Sequence, residues 1–284
     1  MLWIFLVLAL AVLVIGTYTD LRTKEVPDWV NFGLIFAGIG IHAILSAVSS
    51  SWLPIISSGI GLGIGVGVSF AMYYLGQWGG GDAKMLMGLG AIIGFDLSNL
   101  FFLNFLINVF FIGAVYGLCY GVYLAFRNRK SFGKTFRHLY SKIPLILRRG
   151  IFVLLGLAVA FAILFLSLKN MIFIYLISLM IILIGFYYLF IYAKTIEKCC
   201  MLKYVSPSKL TEGDWIAKDV KYKGKYITGP KDLGISKKQI NLLKKFKIEK
   251  VLMKDGIPFV PSFLIAFVFT LFLGNILWQL ISIL

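Results

Sequence analysis

Of the twelve acidic residues in this 284-residue chain, seven fall in one polar segment, 194–256, and only Asp20, Glu25, Asp28, Asp82 and Asp96 lie elsewhere. Those five flank strongly apolar runs, and an ionisable group at a membrane segment is a functional candidate by default. Asp20 closes the first apolar run and Asp82 opens the fourth. Two carboxylates brought together cannot both ionise cheaply, so one holds a proton while the other is charged. Such a pair serves as acid and base at once. One carboxylate takes a proton from water while the other protonates the carbonyl of a scissile peptide bond. Structural readings stand beside this: Asp82, after glycines, suits a helix N-cap, and Asp20 an interfacial charge at a helix end. Asp28 is read as the N-cap of the second span, Asp96 as lying on the opposite membrane side, and Glu25 as a solvated neighbour of Lys24.

The elements that must position these residues are membrane helices. The chain is 60% hydrophobic and 14% charged, with mean hydropathy +0.92, whereas an average soluble domain carries roughly 25% charged residues. An ordinary soluble globule and a disordered chain are both excluded. Apolar runs cover 2–18, 29–48, 53–75, 83–95, 99–126, 151–168, 171–193 and 257–284. The first lacks a preceding positive region and a small-residue cleavage site, so it is expected to be a retained span. Segment 83–95, at 1.5 Å per residue, reaches only about 20 Å of a hydrocarbon core about 30 Å thick. If it spans, every Lys and Arg except Lys169 lies on one face, as the positive-inside rule favours. The expected fold is an all-α polytopic membrane protein of about eight membrane helices. Both termini are outside, and Asp20 and Asp82 share a basic cytoplasmic face with residues such as Arg127, Arg148 and Arg149.

Residues 1–193 form the membrane domain, 194–256 a small basic cytoplasmic insert, and 257–284 the last span. The insert carries 16 Lys against seven acids. Its pattern predicts strands over 214–220, 225–228 and 248–253 and a Ser236-capped helix over 236–246, a small α+β module. The glycines at 59, 61, 63, 65 and 67 offer close-packing surfaces but cannot share one helix face. The formal charge of +16 fits attraction of juxtamembrane cations to anionic lipid head groups, about 1 kcal/mol each, and calls for no nucleic acid. Cys119, Cys199 and Cys200 give no spaced pair, and His42 and His138 are the only histidines, so no zinc site, metal or cofactor is expected.

Gly79-Gly80-Gly81-Asp82-Ala83-Lys84-Met85-Leu86, read as GxGDxKxL, resembles the signature of the GxGD intramembrane aspartic proteases, specifically the prepilin and archaeal preflagellin peptidases. Asp20, followed eight residues later by Asp28 after Pro27 with a basic loop between, is similar to that family's first catalytic segment, whose leading Asp is the catalyst. Gly256-Ile257-Pro258-Phe259-Val260-Pro261 is similar to its proline-bearing approach to the last span. The resemblance implies a cofactor-free aspartic endopeptidase that removes a short basic leader from type IV pilin-like or archaellin precursors at the cytoplasmic face. Its catalytic pair would be Asp20 and Asp82. Gly79 and Gly81 would give the backbone positive φ and room for an extended substrate. Lys84 completes the motif, with snorkelling to the interface as its expected part.

The chain departs from bacterial prepilin peptidases in lacking their paired CxxC domain, so their N-methylation is not carried over. The spans at 151–168 and 171–193 exceed a minimal preflagellin peptidase, which leaves open a sister enzyme for other pilin-like precursors. The competing reading is an ion- or proton-coupled transporter using the same aspartates. A presenilin-like protease would need a Pro-Ala-Leu element, which the sequence lacks.

Overall fold

The computed structural model describes residues 2–98, 100–142, 145–169 and 171–283, with the backbone alone described at 2, 145–149 and 283. Asn99 and Leu284, expected at span ends, and the Arg148 and Arg149 side chains, expected on the basic face, lie outside the described residues. In chain order the helices are α1 (Leu2–Thr23), α2 (Asp28–Val48), α3 (Leu53–Tyr74), α4 (Gly80–Ile93), α5 (Phe101–Arg127), α6 (Arg129–Ser141), α7 (Leu145–Leu168), α8 (Met171–Ile196), α9 (Lys237–Lys245), α10 (Val260–Leu273) and α11 (Ile276–Ile283). The strands are β1 (Leu202–Val205), β2 (Trp215–Ile216), β3 (Val220–Tyr222), β4 (Lys225–Thr228) and β5 (Val251–Lys254).

Among the described residues six helices are long and apolar enough to cross a bilayer, and α10 with α11, bent by 53°, passes the same test as a pair, the geometry of a broken span or a re-entrant loop. The protein is a polytopic α-helical membrane protein. The eighth expected segment is α4, whose 14 residues rise only about 21 Å. It is shielded by protein. Nine of its residues, from Ala83 to Ile93, are buried, so neighbouring helices cover most of the backbone that its short length would otherwise leave to lipid.

The chain divides into two compact units. The first comprises Met1–Tyr120, Val205–Val251 and Asp255–Leu284. Here α2 and α3 hold α4 through glycines. A Cβ on Gly38 would lie 2.7 Å from the Ala91 carbonyl carbon, and one on Gly61 would collide with the Gly90 carbonyl. A Cβ on Gly65 would be close but less tight, 3.0 Å from the Leu86 carbonyl oxygen, whereas those on Gly59, Gly63 and Gly67 would meet nothing within 4 Å. The alternating glycines thus split, as helical geometry requires, into a packed row and an outer row. Gly94, at φ 73°, ends α4 in a conformation that a side chain would strain.

The last span breaks at Gly274 and Asn275. Asn108 of α5 donates to the Thr270 hydroxyl and the Gly274 carbonyl, and its own carbonyl accepts the Ile276 amide. Two of the backbone groups freed by the bend, the Gly274 carbonyl and the Ile276 amide, are thereby satisfied by protein. Elsewhere in this unit β3 and β4 pair antiparallel with a register shift after Val220. Ser236 caps α9 as expected, accepting the Gln239 amide. The strand expected over 214–220 is two short ones, β2 and β3.

The second unit comprises Gly121–Tyr204 and Leu252–Lys254. Helix α8 continues beyond residue 193 and ends in a π-helical turn, Glu197–Met201. Lys254 pairs with Glu197 at 2.7 Å. Helix α6, which the hydropathy pattern does not announce, packs against the end of α8 through Phe132 and Tyr192, ring centroids 6.0 Å apart.

Candidate active site

Helices α1 and α4 meet at the end where Asp20 and Asp82 lie. A Cβ on Gly16, one turn before Asp20, would sit 2.5 Å from Cε of Met85, one turn after Asp82. The two aspartates therefore occupy facing sides of neighbouring helices, one turn nearer the same surface, and their carboxylates interact electrostatically. Asp20 is 4% exposed and Asp82 half-buried. Carboxylates shielded from water interact more strongly than surface pairs.

Each carboxylate is held by main chain. Oδ2 of Asp20 accepts the Val260 amide at 2.9 Å. Val260 opens α10, so the carboxylate caps the positive end of a helix. Oδ2 of Asp82 accepts the Gly79 amide at 3.0 Å. Asp82 is thus the third residue of α4, reaching back to the residue before the helix, and the N-cap reading of it is corrected: Gly79 holds that place.

Four further expectations change. Gly79 is extended, at φ −73°, and Gly81 is not among the positive-φ residues, so neither glycine supplies a left-handed turn. Their smallness is used directly: a Cβ on Gly79 would touch the Asp82 carboxylate at 3.4 Å, and one on Gly81 the Val26 amide at 3.4 Å. Asp28 is the first helical residue of α2 and makes no capping bond, because Pro27 takes the cap position. Its Oδ1 binds Nζ of Lys84 at 2.6 Å. Lys84 therefore ties α4 to α2, lying also over the Phe32 ring, rather than snorkelling. Glu25 is more than solvated, since its carboxylate accepts the Thr211 hydroxyl.

The helix ends carrying the aspartates share anchors that the sequence reading passed over. Trp78, 3% exposed, packs on Phe110, Phe259 and Phe263 with centroids 6.1, 5.9 and 5.2 Å away. Phe259 precedes the very amide that holds Asp20. The only sequence signals were an aromatic residue abutting the glycine turn and the Pro258/Pro261 pair. The α+β module adds outer ties: Tyr73 donates to the Leu233 carbonyl at 2.6 Å, and Trp215 packs where a Cβ on Gly76 would lie. Lys24 binds Asp255 at 2.7 Å. Nearby, burial raises the Asp214 carboxyl above its ordinary range against the hydrogen bonds from Thr211 that lower it, and the charges of Glu25 and Asp255 add to the rise.

Among the described residues no cluster of three or more His, Cys, Asp or Glu could hold a metal ion. The arrangement at Asp20 and Asp82 is suited to paired proton transfer.

Residues 6–121 match the type IV leader peptidase family. The chain is 37% identical over 89 residues to a preflagellin peptidase of Methanocaldococcus jannaschii, covering 31% of this chain and 37% of that protein. It is 29% identical over 127 residues to a preflagellin peptidase of Methanococcus voltae, covering 41% of this chain and 54% of that protein. The chain thus spans about a third to a half of the length of the curated relatives it matches. No solved structure matches it. The matched region holds both Asp20 and Asp82, and the resemblance read from the two aspartate segments is borne out over it.

Proposed function

We propose that this protein is a membrane-embedded aspartic endopeptidase that removes the short basic leader of type IV pilin-like or archaellin precursors. Asp20 and Asp82 are its catalytic pair. The observation that carries the reading is the placing of Asp20 and Asp82 at the same end of neighbouring helices α1 and α4, each carboxylate accepting a main-chain amide. The similarity to preflagellin peptidases supports the substrate class.

In this reading a water lies between the carboxylates. The ionised one takes its proton as the oxygen attacks the scissile carbonyl, and the protonated one gives its proton to the carbonyl oxygen. Collapse of the tetrahedral intermediate breaks the C–N bond, and the leaving amine takes a proton from the pair. Which aspartate begins protonated is a property of the pair, since coupled groups titrate together. Gly79 and Gly80, both exposed, leave an open approach beside Asp82 for an extended segment, and Gly81 lets the turn lie close to Val26. Lys84 acts through its pair with Asp28. The basic loops face the cytoplasm, with the site at that face and both termini outside.

Co-expression with a tagged archaellin or pilin-like precursor tests this. Wild type and Asp28→Ala are expected to give the leader-dependent gel shift, and Asp20→Ala and Asp82→Ala to give none at normal membrane levels. A shift that survives both aspartate substitutions, or a wild type that cleaves no such precursor, would overturn the reading.

A further inference from the structure

A long stretch of sequence, most of it in the second unit, carries cations and no acid. From residue 97 to 196 there is no Asp or Glu, and ten Lys and Arg. Six of the ten crowd into and around α6: Arg127, Arg129, Lys130, Lys134, Arg137 and Lys142, all exposed. Among the described residues no carboxylate pairs with any of the six. A helix polar and cationic to this degree, with no internal ion pairs, normally repels itself.

Helix α6 is nevertheless sharply two-sided. Phe132, Phe136 and Tyr140 recur every fourth residue and stack along one side, with centroids 5.9 and 6.3 Å apart. That side is occupied, since Phe132 packs on Tyr192 of α8. Lys130, Lys134 and Arg137 fall on the opposite side by helical spacing. Where α5 ends and α6 begins, Arg127, Asn128, Arg129, Lys130 and Ser131 line an open cavity of about 360 Å³.

We propose that α6 is a docking surface for anionic lipid, its cationic side and the Arg127/Arg129/Lys130 cavity receiving phosphate head groups of the surrounding leaflet. The occupant follows from charge and place. The cations begin at the last residue of a membrane span, α5, and the aromatic side is fastened to the end of another, α8, so the charged side stands at head-group depth. A lipid phosphate also supplies the acid that the protein withholds along a hundred residues of sequence. The proposal does not rest on the catalytic reading.

Full-length protein in detergent, titrated with phosphatidylglycerol or phosphatidylcholine and read by native mass spectrometry, tests it. Wild type is expected to bind phosphatidylglycerol in preference, and the preference to fall as salt rises. The triple substitution Arg127→Gln, Arg129→Gln, Lys130→Gln should weaken phosphatidylglycerol binding on the order of a hundredfold. It should leave phosphatidylcholine binding unchanged. The equal charge change Lys238→Gln, Lys244→Gln, Lys245→Gln on α9 should have little effect. Equal binding of the two lipids, insensitivity to salt in the wild type, or equal loss in both triple variants would overturn the proposal. Displacement of the bound lipid by inorganic phosphate would overturn it in favour of a soluble anion.

Discussion

The Asp20 carboxylate and the Val260 amide, 240 positions apart in sequence, are joined by a 2.9 Å hydrogen bond in the interior of the protein. That bond makes the start of the last span part of the candidate site. The same segment carries Phe259, which packs on Trp78 beside the glycine turn of Asp82. One stretch of backbone therefore braces both aspartate-bearing helix ends.

Trp78 is accordingly expected to matter for cleavage without touching a substrate. Trp78→Ala removes a buried aromatic, a change that typically costs about 3–5 kcal/mol. It should lower the melting temperature in detergent and reduce precursor cleavage by up to about a hundredfold, the penalty for slightly misplaced groups. Trp78→Phe should restore most of both. Cleavage at the wild-type rate in the alanine variant would show that the aromatic cluster does not hold the turn.

The carboxylate pair predicts the shape of the pH–rate profile. One group must be protonated and the other ionised, so kcat/KM should rise and fall with pH, and its two limbs should report the pair rather than either residue. Stopped assays across pH with purified enzyme and a precursor peptide check this. A profile with a single limb would mean that only one carboxylate takes part.

The ion pair of Asp28 and Lys84 is partly exposed, and such pairs contribute up to about 1 kcal/mol. Asp28→Ala, Lys84→Ala and the double variant should each melt close to wild type and keep most of their cleavage. A thermodynamic cycle over the three gives the coupling. A loss in Lys84→Ala as complete as in Asp82→Ala would move Lys84 into the catalytic machinery.

The glycines of α3 allow a paired test within one helix. Gly61→Ala would drive a methyl group into the Gly90 carbonyl, and overpacking of this kind costs about 1–3 kcal/mol. Gly63→Ala meets open space and should be neutral or stabilising by up to about 1 kcal/mol. Melting temperatures in detergent that fail to separate the two variants would contradict the packing of α4 against α3.

Much of this was legible because membrane helices write themselves as long apolar runs. The spans, the β4 strand at Lys225–Thr228 and the Ser236 cap all follow from local pattern. The failures have local causes too. Helix α6 has few apolar residues, and its only trace was the four-residue recurrence of Phe132, Phe136 and Tyr140 amid lysines and arginines. The break at Gly274 and Asn275 hid inside a long and mostly apolar run, because groups that stabilise it come from Asn108 on another helix. Asp28 was misread because the sequence offers both Pro27 and Asp28 as a helix start, and only the backbone decides which one takes the cap. At the site, the aspartates were visible as rare charges among apolar runs, but their supports were not. Backbone donors leave no mark in a sequence of side chains.

That last property bears on mutational drift. An amide donor is present at every residue except proline, so exchanging the side chain of Val260 or its neighbours alters packing while leaving the donor in place. Selection on this arrangement can therefore concentrate on two carboxylates, a tight glycine turn and a backbone path, and the surrounding positions are free to wander. Two short motifs can then carry most of the recognisable information in a chain whose remaining residues serve chiefly to be greasy, helical and the right length.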